Sequence, residues 1–285
     1  VWSVPILETQ SVSIGERVEV TTGPQRIQQH SLSPDGRWIA FDSNRMGGFD
    51  IYKTPLSGGT YHLVADLPEN AFAPGWSPDG THIAFGATTG VYVIPADGGT
   101  PVQVADHYGP SQGSSGNPAW SPDGLNISFA SDGAVMDAPI DTWIISRESF
   151  ETPWSDPVKL TDFGCSWPYW DPGDPGLICG TGSKIFRLLP SGEVLAGHDV
   201  VTDQPRVWTG FPRFSPDGRR IIFYGRNEDH SWALWWIHSN GGPATKAVTF
   251  DDPTLNPLGI AVGQQDIYVT LSEFESDIWV LDLDW

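Results

Sequence analysis

Cysteine and basic residues are scarce in this chain. Among 285 residues there are two cysteines, Cys165 and Cys179, and 15 Lys+Arg against 35 Asp+Glu. No Cys-x-x-Cys pair occurs, which excludes the usual thiolate zinc spacing. No run approaches the roughly 18 apolar residues of a spanning helix, so no membrane insertion is expected. The formal net charge of -20 disfavours nucleic acid and anionic membrane surfaces as partners. Such acidity suits solubility, a salt-adapted source or attraction of cations. The start at Val1 rather than Met fits a mature chain after signal removal, and equally a cut within a longer chain.

What is abundant is repetition. Ser-Pro-Asp-Gly begins at Ser33, Ser77, Ser121 and Ser215, so the first two intervals are 44 residues and the third is 94. A degenerate copy, Trp170-Asp171-Pro172-Gly173, fills the long interval, and Ile260–Gln264 keeps only the flanking pattern. In each unit Pro fixes φ, Asp bonds to nearby backbone and Gly supplies a positive φ, which makes a turn between two strands. The segments His82–Gly86 and Val91–Ile94 read as the second and third strands of one unit, and Pro101–Ala105 as the fourth. Phe41, Phe85, Phe129 and Phe223 recur at one position. A period of 40 to 50 residues built of short strands predicts an all-β six-bladed propeller of four-stranded antiparallel blades. The expected blades are 24–66, 67–106, 107–162, 163–203, 204–250 and 251–285, the last completed by strand 16–22. Pairing the N-terminal strand with the last blade would remove two open edges.

The run Leu32–Arg45 followed by Phe49–Tyr52, with Trp76–Phe85, Trp120–Phe129 and Phe214–Phe223, resembles the WD40-like repeat of TolB-type propellers. The resemblance implies a secreted or periplasmic propeller, expected as a monomer, that binds a protein, peptide or glycan ligand. It equally admits a second class, since some relatives are propeller polysaccharide lyases, so a carbohydrate-active enzyme or lactonase is the alternative. Fold analogy does not choose between them.

Cys165 and Cys179 fall on the first and second strands of the fourth unit, on either side of its turn. They are either two buried thiols or a cross-strand disulfide, and a disulfide implies an oxidising compartment. Gly109–Gly113 matches the nucleophile-elbow pattern, but no helix pattern follows it, so it is read as a chance match. The repeated carboxylates Asp35, Asp79, Asp123 and Asp217 are read as turn architecture.

Positions that break the repeat carry the functional expectation. First strands line a propeller's channel, and the loops leading into them form one mouth. Gln28, Asn117, Trp167, Tyr169, Trp208, Arg213 and Asn256 are therefore the expected ligand-binding residues, amides and rings suited to a sugar or peptide. If the chain is an enzyme, His30, His107, Tyr169 and Arg213 are its candidates, with Arg213 neutralising a substrate carboxylate. No cofactor loop is present and no cofactor is expected. Glu69 and Asn70 are the oxygens that would take calcium, should the mouth hold a cation rather than water. Trp154 is a further ring placed to stack on a ligand.

Overall fold

Every copy of Ser-Pro-Asp-Gly closes the same turn. In the computed structural model the serine Oγ donates to the aspartate Oδ1 at 2.6 Å in all four copies. The same Oγ accepts the backbone N–H five residues on, from Trp38, His82, Asn126 and Arg220, at 2.9 Å. The aspartate then accepts the N–H of Arg37, Thr81, Leu125 or Arg219. These bonds hold the Asp35 and Asp217 carboxyls below the usual carboxylate range, the serine hydroxyl being the main cause. The degenerate copy uses different chemistry. Asp171 accepts the N–H of Gly173 and pairs with the buried Arg187 at 2.7 Å.

The structure describes residues 2–3, 18–21, 25–106, 116–132, 139–195, 209–226, 231–250, 256–264, 266–272 and 276–282. First strands are Ile27–Leu32, Ala71–Trp76, Ala119–Trp120, Ser166–Trp170, Thr209–Phe214 and Asn256–Val262. Each pairs with the strand after its turn, and that strand with the next, in antiparallel order. Among the described residues, four of the sheets are four-stranded antiparallel blades and the sheet of the last unit has five strands. The sheet holding Ser166–Trp170 has three strands, so five blades rather than the expected six reach four strands. There the turn after Leu188 returns the chain to a single bridge at Val194, and Leu195 N–H donates to the Arg187 carbonyl at 3.0 Å. The remainder of the expected fourth strand lies outside the described residues.

The sheet of the last unit is completed from the other end of the chain. Val18–Glu19 pairs antiparallel with Ser276–Asp282, in the register Val18 to Val280. Trp2–Ser3 adds a short parallel pairing with the same strand, which the repeat pattern did not foretell.

Second strands are buried on both faces because each is sandwiched between neighbouring sheets. Phe41, Phe85, Phe129 and Phe223 are fully buried. Each apolar cluster is shared by two adjacent sheets, as Ala40, Ile51 and Val64 meet Ile83, Phe85 and Ile94. The cluster of Ile27, Ile39 and Phe41 with Ala261 and Tyr268 joins the last sheet to the first and closes the ring. The signature tryptophans tie the same joints by hydrogen bonds. Trp120 Nε1 donates to the Gly75 carbonyl at 3.1 Å and Trp170 Nε1 to the Ala119 carbonyl at 3.0 Å.

First strands approach one another closely at the axis. A Cβ on Gly75 would lie 2.4 Å from the Pro118 carbonyl oxygen of the next sheet, a backbone atom that cannot rotate away. Gly75→Ala is therefore expected to lower stability by about 1–3 kcal/mol, the usual range for overpacking. A chemical-denaturation midpoint equal to that of the unaltered chain would refute the close approach.

Candidate ligand cavity

Five of the first strands carry an irregularity in their pairing register, between Ile27 and His30, Phe72 and Gly75, Ser166 and Tyr169, Gly210 and Arg213, and Pro257 and Gly259. Ala73, Asn117, Trp167 and Phe211 adopt φ of 53, 39, 55 and 54°, left-handed values that cost a non-glycine residue about 1–2 kcal/mol. A proline follows each of them. Such a bulge leaves one residue out of the ladder and re-aims those after it. Here the re-aimed positions include Tyr169 and Arg213.

Asp42 holds two of these segments in place. Its buried carboxylate accepts the N–H groups of Gln28 at 2.7 Å, Gln29 at 3.1 Å and Ala73 at 3.0 Å, joining the first strands of neighbouring sheets. Burial nevertheless raises its pKa to about 6, outweighing those three donors.

The re-aimed first strands enclose a cavity of ≈ 470 Å³ on the propeller axis. Its wall takes residues from every first strand and from the turns, with Pro34, Pro78, Pro122, Pro172 and Pro216 around its rim. The cavity thus opens on the Ser-Pro-Asp-Gly face, opposite the loops that lead into the first strands. Of the expected site residues, it gathers Asn117, Tyr169, Arg213 and His30.

The others stand elsewhere. Gln28 is outside the wall, its N–H held by Asp42. Trp167 packs its ring 5.2 Å from Phe211, between two sheets. Asn256 is exposed at the start of its strand. Asn70 accepts the Phe49 N–H at 2.9 Å, and Glu69 accepts the hydroxyls of Thr88 and Thr89, so both are committed to loop bonds away from the axis. Trp154 is not a free ring either, since it sits 5.8 Å from Trp120 with the Arg147 guanidinium 4.5 Å from it. His107, Trp208 and the Gly109–Gly113 motif lie outside the described residues. Among the described residues no group of three or more His, Cys, Asp or Glu side chains could hold a metal.

His30 is a tie between sheets rather than a free base. Its Nε2 donates to the Tyr268 carbonyl at 3.0 Å, which leaves Nδ1 to accept from the Thr270 hydroxyl at 2.8 Å. Burial lowers its pKa to about 4, with the nearby Arg213 charge adding to the effect. The ring is neutral at pH 7 and both its nitrogens are engaged.

Arg213 is different. The guanidinium lies over the Tyr169 ring at 4.7 Å and, among the described residues, donates once, to the Pro212 carbonyl at 2.9 Å. Burial depresses its pKa, and among the described residues no carboxylate pairs with it. Asn117, on the same wall and only 7% exposed, has an amide oxygen with no hydrogen-bond partner. The sequence showed Tyr169 and Arg213 as large residues at an otherwise small position. It did not show that no carboxylate among the described residues pairs with the arginine.

Cys165 and Cys179 form a disulfide between fully buried positions, with Cα atoms 5.5 Å apart.

No family model matches the chain. Partial matches exist to an uncharacterised protein of Agrobacterium fabrum, 29% identical over 99 residues, and to the uncharacterised peptidase YuxL of Bacillus subtilis, 38% over 79. A TolB homologue of Chlorobium chlorochromatii is 36% identical over 94 residues. These segments are 34, 27 and 29% of this chain and 34, 12 and 21% of the relatives, so only part of each curated relative is spanned. Among solved structures, a TolB candidate from Agrobacterium tumefaciens superposes with a TM-score of 0.65 at 20% identity, covering 81% of this chain and 83% of that one. TolB from Acinetobacter baumannii gives 0.59 at 14%, covering 90% and 62%. Oligogalacturonate lyase from Vibrio parahaemolyticus gives 0.56 at 10%, covering 92% of both chains. At these identities the structural likenesses show the fold alone. With the Chlorobium segment, they support a TolB-type propeller.

Proposed function

We propose that this chain is a binding propeller of the secreted or periplasmic space, taking its ligand in the axial cavity on the Ser-Pro-Asp-Gly face. The observation that carries this reading is the cavity itself, walled by every first strand and holding an arginine and an asparagine with unused hydrogen-bonding groups. Its volume falls within the range of small-molecule and short-peptide sites, about 300–1,000 Å³. A non-catalytic role is favoured because His30 is neutral and doubly bonded, leaving, among the described residues, no free acid–base partner beside Tyr169. TolB-like relatives fit a binding role, and the disulfide suits an oxidising compartment.

Gln264 is exposed at the rim of the cavity, so a bulky replacement there would narrow the opening. A saturation-transfer NMR screen of short peptides and saccharides is expected to yield binders whose signals weaken at least threefold with Gln264→Trp. Binders insensitive to that change would overturn the axial site. Turnover of uronic-acid polymers that is lost in both Tyr169→Phe and Arg213→Ala would overturn the non-catalytic reading.

A further inference from the structure

We infer that the axial cavity recognises a ligand carboxylate, gripped by the Arg213 guanidinium, with Asn117 accepting a neighbouring N–H or O–H of the same ligand. This rests on the axial binding site proposed above and names the chemistry that site selects.

The chain carries a net charge of -20, yet the one ionised basic side chain on the described cavity wall is Arg213. A guanidinium has five N–H donors, and among the described residues only the Pro212 carbonyl accepts from one of them. The Tyr169 ring against it fixes the plane of the fork and shields one face. Desolvating a cation without a counter-ion is costly, and proteins ordinarily supply an acid to such an arginine. Here the acidic member of the described wall, Asp35, is exposed at the rim and bonded to Ser33. His30, also on the wall, is neutral at pH 7 and adds no positive charge.

A planar fork matches a carboxylate in two parallel hydrogen bonds. One guanidinium neutralises one carboxylate, whereas a phosphate dianion would keep an uncompensated charge inside the cavity. The Asn117 oxygen adds a second requirement. It is buried and without a partner, so it gains a hydrogen bond only from a ligand that carries a donor. A carboxylate with an adjacent donor describes the C-terminal residue of a peptide and also a free hydroxy or amino acid.

Two matched pairs of probes separate these. N-acetyl-Ala-Ala with a free C-terminal carboxylate is compared with its C-terminal amide, and lactate with its methyl ester, by calorimetric titration of the unaltered chain. Each acid is expected to bind at least tenfold more tightly than its neutral partner. Tighter binding of the dipeptide acid than of lactate assigns the carboxylate to a peptide end, and the reverse assigns it to a free organic acid. Arg213→Gln should abolish the acid preference, and Arg213→Lys should lose most of it because the fork is gone. Asn117→Ala should weaken binding of both acids several-fold while leaving the preference for acid over neutral partner intact. Acids and neutral partners bound equally would overturn the carboxylate while leaving the axial site standing. Failure of all four probes to bind would overturn both. The acid–neutral comparison needs no variant, so a misfolded Arg213→Gln does not shelter the proposal.

Discussion

Replacing Cys165 and Cys179 together by serine is expected to lower stability by about 3 kcal/mol, the value for a bridge closing a loop of roughly 15 residues. For a chain of this size that corresponds to a fall in Tm of roughly 5–10 °C. The cysteines are 14 residues apart and fully buried. Their sheet is also the one least able to do without a staple. It shows three strands, its turn has an aspartate in place of the usual serine, and its first two strands lose register between Ser166 and Tyr169. Denaturant melts with and without reductant check the expectation. A midpoint unmoved by reduction, with complete thiol release confirmed by alkylation, would refute it.

The second large effect is on pH dependence. Burial keeps His30 unprotonated down to about pH 4, whereas an unfolded histidine titrates near 6.5. In that window the unfolded chain binds a proton that the folded chain does not, so this residue's contribution to stability is complete above pH 6.5 and is lost as pH falls. Asp42 works in the opposite sense. Its folded carboxyl titrates near 6 and its unfolded one at 3.8, so its contribution is complete below 3.8 and is lost as pH rises to 6. Between about pH 4 and 6 the two slopes, each about 1.4 kcal/mol per pH unit, cancel. His30→Gln should therefore make stability fall with rising pH at about that slope relative to the unaltered chain. Asp42→Asn should make it rise by the same amount. Equilibrium melts at half-unit pH intervals measure both, and parallel profiles for the three proteins would reject this account.

The local chemistry was legible in the residues. Ser33 and Asp35, with their counterparts at 77 and 79, 121 and 123, and 215 and 217, define a turn through bonds spanning at most five residues. Phe41, Phe85, Phe129 and Phe223 marked one recurring position of the second strands, and a strand missing at the other end pointed to the pairing of Val18–Glu19 with the last sheet. The cysteines could be placed on facing strands, but whether they join depends on a backbone separation that no spacing supplies.

What the tertiary structure decided concerns partners distant in the chain. His30 looked like a catalytic candidate until Tyr268 and Thr270, some 240 residues away, were seen to occupy both ring nitrogens. Trp167 looked like a platform for a ligand, and the neighbouring sheet supplied Phe211 instead. The end of the channel that opens into a cavity was set by bulges and by left-handed Ala73, Asn117, Trp167 and Phe211, conformations that the sequence does not demand of non-glycine residues. Repetition in the sequence determined the turns and the strands because those forces act over a few residues. That no carboxylate among the described residues pairs with Arg213 emerged only with the ring assembled, because a counter-ion can come from any strand around it.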